Sequence, residues 1–236
     1  MNAALRVAGI DFTSRPRRAK PITVALGHRV ADRVVLERLE AHVDGASLVR
    51  FLCTPGPWVA AFDFPFGLPR EAVEALGWPR AWRELIAHYT SLSRAQIRAT
   101  FARYLAARPA GRKFAHRACD AGAGSSSPMK WVNPPVAYML HAGVPLLLEA
   151  GVHLPHLHAG DVTRVALEGY PGLLARELIG RRCAASSWRR RPRRVAPRSS
   201  ASTIAPRAAR RSGVSPVRAS CLYERRPISS RASSPG

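Results

Sequence analysis

The stretch Leu5-Arg6-Val7-Ala8-Gly9-Ile10-Asp11-Phe12, running into Thr13-Ser14-Arg15-Pro16, sets the reading of the whole chain. A short apolar run that closes on an acid and then meets turn-forming residues is a buried strand delivering a carboxylate at its C-terminal end. The pattern returns at Trp58-Val59-Ala60-Ala61-Phe62-Asp63, and again over 161–169, where Val162, Val165, Ala166 and Leu167 lead into Glu168. Between the first two lie further strand candidates, Ile22 to Leu26 and Arg33 to Leu39, with Gly27-His28-Arg29 as turn material between them. Their close spacing predicts an antiparallel meander with the first strand. Asp44-Gly45 and the segment Ala46 to Cys53 predict a short helix closed by Pro55-Gly56-Pro57. A strand reached through a helix lies parallel to the strand it joins, so the expected fold is α/β: a mixed sheet, antiparallel then parallel, flanked by helices.

Downstream of Phe64-Pro65-Phe66-Gly67-Leu68-Pro69 the chain turns helical. Arg70 to Leu76 ends at Gly77, and Ser93 to Arg108 carries Ile97, Phe101, Tyr104 and Leu105 at helical spacing. Ala121 to Pro128 reads as a small-residue loop. Asn133-Pro134-Pro135 starts a helix expected to run through Gly143, and Pro171 to Gly180 reads as another helix start.

Asp11, Asp63 and Glu168 thus share one kind of position. If the first two strands are parallel neighbours, both aspartates reach the same sheet edge, where like charges repel unless a cation sits between them. That arrangement suits a hard divalent ion, Mg²⁺ or Mn²⁺, which can activate water and stabilise the leaving oxygen of a phosphodiester. The alternative is three ordinary strand-end or N-cap acids.

The residues also resemble a family. Gly9-Ile10-Asp11-Phe12-Thr13-Ser14, Phe62-Asp63-Phe64-Pro65-Phe66-Gly67-Leu68, Ser127-Pro128-Met129-Lys130 with Asn133-Pro134-Pro135, and Glu168-Gly169-Tyr170-Pro171-Gly172 are together similar to the predicted nucleases of RNase H fold, number 429 in the domain-of-unknown-function series. The likeness runs in order over residues 5 to 182. It implies an RNase H-like core with a carboxylate metal site, formed by Asp11, Asp63 and Glu168 as catalytic and metal-ligating residues, and a metal-dependent nuclease activity. Members of that family continue past the Tyr-Pro-Gly helix with a Lys-rich stretch and an acid-bearing C-terminal helix. This chain departs from the pattern at Arg181-Arg182-Cys183.

Charge changes at the same place. The chain holds 37 Lys+Arg against 15 Asp+Glu over 236 residues, a formal net charge of +22. Residues 1–182 contribute +10 of it, and 183–236 contribute +12 from 13 Arg and the single acid Glu224. In that tail Arg, Ser, Ala and Pro make up 40 of 54 residues. So little apolar surface cannot offset ordering entropy, which predicts disorder. An Arg, Ser, Ala and Pro bias with almost no Asp, Glu or Lys is also what a GC-rich gene yields when read out of frame. The expected organisation is therefore a nuclease-like domain over 1–182, incomplete at its C-terminal end, and an out-of-frame basic tail over 183–236.

Within the domain the span from Leu85 to Cys119 has no acid and seven cations. Arg94, Arg98, Arg112, Lys113 and Arg117, with Lys130 beyond them, form the candidate phosphate-contacting set, and Phe101 or Tyr104 could stack on bases. Core aromatics with solvated, snorkelling arginines explain the same residues, and Arg103 falls opposite the apolar stripe. Arg117 and Asp120 either join the carboxylate site or form a surface ion pair. His153, His156 and His158 flank Pro155, against a helical ligand face. The Gly122 to Ser127 loop lacks the Lys of a P-loop, and Ser125 to Ser127 have no adjacent His and acid.

Three functions follow as expectations: a metal-dependent nuclease, a non-catalytic nucleic-acid-binding protein, or an inactive frameshifted product. An actin-like phosphotransferase lacks its second glycine-rich phosphate loop. Partners are expected to be nucleic acid or a nucleotide, with no membrane. Arg6 and Asp11 interrupt the only apolar N-terminal stretch, and no run approaches the ~18 apolar residues of a span. Cys53, Cys119, Cys183 and Cys221 show no ligand spacing, which points to a reduced, cytoplasmic setting.

Overall fold

Alternation along the first strands is read directly by the backbone in a computed structural model, which describes residues 5–178. The expected tail lies outside the described residues, as do Gly180 and the last part of the helix predicted from Pro171; the chain is helical over 171–178. β1 (Arg6–Asp11), β2 (Ile22–Val30) and β3 (Arg33–His42) form the antiparallel meander. The helix α1 (Gly45–Leu52) then carries the chain to β4 (Trp58–Phe62), which pairs parallel with β1. Asp44 caps α1 by accepting a hydrogen bond from the Ser47 backbone N–H at 2.7 Å.

α2 (Arg70–Ala75), α3 (Trp82–Ser91), α4 (Arg94–Ala106), α5 (Ala118–Ala123) and α6 (Val136–Glu149) follow, and β5 (Val152–His153) and β6 (Asp161–Glu168) close the sheet. Its strand order is β3-β2-β1-β4-β6-β5, with β4, β6 and β5 parallel to their neighbours. The predicted mixed α/β class is therefore present: antiparallel strands first, parallel strands next, helices alongside. Among the described residues no helix is long and apolar enough to cross a membrane.

One face of this sheet is dry. Ile10, Val24, Ala60, Phe62 and Ala166 point into a single core with Leu48 and Leu52 of α1 and Leu140 and Leu147 of α6. The alternate residues lie on the opposite face, and there Val34 is 65%, Leu36 60% and Leu39 65% exposed.

Four local expectations need correction. Gly27-His28-Arg29 is not a turn: it belongs to β2, and the reversal falls at Ala31-Asp32, with Ala31 at φ 52°. The register shifts between Leu26 and Gly27, and a Cβ on Gly27 would stand 2.2 Å from the Val35 carbonyl oxygen. A β-bulge, not a hairpin end, is what the glycine serves. Next, α3 adds a helix that no cap announces, since Ala81 gives its start no side-chain hydrogen bond, although Trp82, Leu85, Ile86 and Tyr89 are buried at helical spacing. The small-residue loop begins only at Gly124, since α5 takes up Ala121 to Ala123. Finally, α6 passes Gly143 and Pro145 to reach Glu149, because Val144 and Leu147 are fully buried and outweigh the lost backbone bond at Pro145.

Candidate functional site

Register decides which of the three strand-end acids meet. β1 and β4 pair Ile10 with Phe62, so Asp11 and Asp63 are level, one residue beyond. The ladder extends that far: the Asp63 N–H donates to the Ile10 carbonyl at 3.2 Å. The Asp63 side chain is half-buried, and its Oδ1 accepts the Phe12 backbone N–H at 2.8 Å. Asp11 is exposed. Burial pushes the Asp63 carboxyl up from 3.8 to about 7, and the adjacent Asp11 adds to the rise against the lowering by the Phe12 N–H.

Glu168 is at the same edge but in another setting. It is level with Phe62, not with Asp63, so strand alternation gives it the helix-covered face. There its Oε2 accepts the Phe66 backbone N–H at 3.0 Å. Arg117, at the start of α5, holds it through two nitrogens, Nη1 to Oε2 at 2.8 Å and Nη2 to Oε1 at 2.5 Å. The same guanidinium grips Asp120, with Nη2 to Oδ1 at 2.7 Å and Nε to Oδ2 at 3.1 Å.

Asp120 is only 2% exposed, and Ser125 Oγ donates to its Oδ1 at 3.0 Å. Burial alone would raise its pKa; the Arg117 and Ser125 hydrogen bonds outweigh burial and hold it below the ordinary value. For Arg117 burial works against the charge, but its bonds to Asp120 and Glu168 win and raise its pKa. Of the two readings of Arg117 and Asp120, the surface ion pair does not hold: the pair sits inward and reaches Glu168.

Cys119, Asp120 and Glu168 each present a ligand atom within 4.8 Å of the others, a group that could hold a metal ion. The Arg117 cation already compensates the two carboxylates of that group, and Cys119 is not free. Asp11 and Asp63 stand apart from this cluster as a pair whose mutual charge no described ion pair offsets.

The predicted phosphate contacts divide three ways. Arg94 is half-buried and donates to the Ser14 carbonyl at 2.6 Å, while Arg98 is exposed on the next turn of α4. Arg112 and Lys113 are exposed on the loop between α4 and α5. Arg117 is committed to carboxylates, and Lys130 is half-buried where its carbonyl accepts the Ala137 N–H. Phe101 is fully buried and Tyr104 9% exposed, so neither offers a face for a base. His158 Nδ1 lies 3.0 Å from Arg83, and no histidine belongs to the one ligand cluster found among the described residues.

Asp120 is the site residue least visible in the sequence, and its i, i+3 spacing from Arg117 is the signal that marks it. In comparisons with family models, curated proteins and solved structures, nothing matches the chain.

Proposed function

We propose that this domain is a metal-dependent phosphodiester hydrolase, a nuclease-like enzyme of RNase H-like type, with Asp11, Asp63 and Glu168 as its acidic residues. One observation carries the reading: parallel pairing of β1 and β4 holds Asp11 and Asp63 level at one edge, with the Asp63 carboxyl pushed up to about 7. Two carboxylates kept that close are costly to ionise together, and a divalent cation removes the cost. The residues fit such an ion, because both donors are hard oxygens and Asp11 is open to solvent. Asp11 and Asp63 would hold it, and a bound Mg²⁺ or Mn²⁺ supplies charge that activates water and stabilises the leaving oxygen.

The Phe12 N–H fixes one oxygen of Asp63, and the carboxyl also meets the Asp11 side chain. The raised pKa belongs to the ion-free pair; with the ion held there, Asp63 would stay ionised as a ligand, and solvent would take the proton of the attacking water. In such a hydrolysis the water oxygen would bond to phosphorus as the ester P–O bond breaks, and the departing oxygen would take up a proton from solvent. Glu168 is held at the same end of the sheet by Arg117 and the Phe66 N–H, which fix its carboxylate in one orientation.

The test is cleavage of labelled DNA and RNA strands with Mg²⁺ or Mn²⁺ by the parent and Asp11→Asn chains. Parent cleavage lost at least ~100-fold in the variant is the expected result, given what removing a metal-held charge costs. Cleavage unchanged in Asp11→Asn would refute the assignment. A second reading, a non-catalytic nucleic-acid-binding protein, draws on the engagement of Glu168 by Arg117, which leaves two of the three strand-end acids outside any described ion pair. Strand binding with no cleavage under either metal would favour it.

A further inference from the structure

The loop that leaves Asp11 ends at Arg15, and Arg15 forms one wall of a cleft of about 460 Å³ against α4. Arg94 and Arg98 line it from the helix together with the small side chains Ala95, Ala99 and Ala102, and Tyr138 lines it from α6. No carboxylate lines this cleft, and none of its three arginines takes part in an ion pair among the described residues.

Unpaired like charges gathered at one place are unfavourable unless an anion joins them. Here one of them is also held in place. Arg94 donates to the Ser14 carbonyl at 2.6 Å, and its guanidinium lies 4.9 Å from the centre of the Tyr138 ring. The Tyr138 hydroxyl returns to the Arg94 carbonyl at 3.4 Å. Burial and the neighbouring Arg15 lower the Arg94 pKa, as expected of a cation short of negative partners. Arg15 and Arg98 remain exposed and can close on a ligand.

The geometry points to a phosphate-backbone subsite in this cleft, where Arg15, Arg94 and Arg98 hold a phosphodiester of a single strand next to the Asp11 turn. A fork of planar guanidinium groups matches phosphate oxygens in pairs. The short apolar side chains Ala95, Ala99 and Ala102 and the Tyr138 ring add surface on which the sugar or base next to that phosphate can rest. The subsite rests on the proposed phosphodiester substrate and adds the place where the strand beside the reacting phosphate is held. It does not depend on catalysis, because it uses none of the acids.

The test uses the full chain carrying Asp11→Asn, without divalent ions, so that binding is read apart from cleavage. Binding of a labelled single-stranded oligonucleotide is followed by fluorescence polarisation across a salt series. Arg15→Ala with Arg98→Ala, both at exposed positions, should lower the slope of log K against log salt by roughly 0.7, the value for one phosphate contact of a single strand. Arg103→Ala, also exposed on α4 but outside the cleft, should leave the slope as it was.

An unchanged slope in the double variant, or an equal drop in Arg103→Ala, would overturn the subsite and leave diffuse attraction. Inorganic phosphate that competes as well as the strand at equal phosphate concentration would also overturn it, in favour of a free-phosphate site. If the slope falls as expected but the parent chain cleaves nothing with any metal, the subsite stands and the hydrolase reading fails.

Discussion

Asp63 and Glu168 both close a parallel strand, and one residue of register separates their chemistry. Level with Asp11, Asp63 must share an edge with a like charge; level with Phe62, Glu168 turns to the helices and finds Arg117. The consequence for Asp63 is a pH dependence with a definite sign. Its folded pKa of about 7 exceeds the ordinary 3.8, so the folded state binds the proton more tightly than the unfolded state. Stability from this group is complete below about pH 4, declines as pH rises through 7, and changes no further above that. Thermal unfolding without divalent ions should show a lower midpoint at pH 8 than at pH 5, and Asp63→Asn should flatten the difference. Mg²⁺ at pH 8 should raise the midpoint of the parent by mass action. Arg117 carries the opposite lesson, since Asp120 is buried and depends on it. Arg117→Met leaves that carboxylate uncompensated and should cost about 3 kcal/mol in urea unfolding, the usual scale for breaking a buried pair from one side.

At the scale of elements, α6 shows packing overriding propensity. Gly143 and Pro145 both argue for ending the helix, yet it continues to Glu149 because its apolar side chains are buried in the core. The glycine is there for a neighbour: a Cβ at Gly143 would lie 2.4 Å from Phe64 Cζ. In an open helix Gly→Ala stabilises by up to about 1 kcal/mol. Gly143→Ala should instead destabilise by about 1 to 3 kcal/mol through overpacking, measurable as a lower denaturant midpoint with unchanged m-value. Phe64 belongs to the same Phe62-Asp63-Phe64-Pro65-Phe66 run that supplies Asp63, and its ring meets Phe12 at 4.6 Å. The helix therefore braces the turns that follow both aspartates.

For the molecule as a whole, the two faces of the sheet are unequal. Leu140 is fully buried under one, whereas Leu36 and Leu39 are 60% and 65% exposed on the other. Leu140→Ala should cost about 2 to 5 kcal/mol, as for other buried leucines. Leu36→Lys with Leu39→Lys should move stability by no more than about 0.5 kcal/mol each, since little apolar area is lost from the core. Chemical unfolding of the two variants side by side checks both values, and a large loss in the lysine pair would mean that this face is covered. The net +22 is also uneven, with +12 of it in 183–236, so any affinity for polyanions measured on the full chain mixes that segment with the cleft at Arg15, Arg94 and Arg98.

Sequence patterning alone carried β1, β2, β3, β4 and β6 in chain order, though not the two-residue β5, and the presence of an acid at the end of β1, just after β4 and at the end of β6. These rest on local signals: apolar runs, turn residues and a cap such as Asp44, each contained within a few neighbours. The apolar stripe of α4 was legible for the same reason, since Ile97, Phe101, Tyr104 and Leu105 repeat at helical spacing. Only the tertiary structure decided that β2 runs on through Gly27, because the reason is a carbonyl on Val35 in the next strand. It also decided the register that joins Asp11 to Asp63 and gives Glu168 to Arg117, 51 positions away in the chain. The cleft of Arg15, Arg94, Arg98 and Tyr138 is of this second kind. Its residues come from a turn and two helices, and no local periodicity relates positions that only packing brings together.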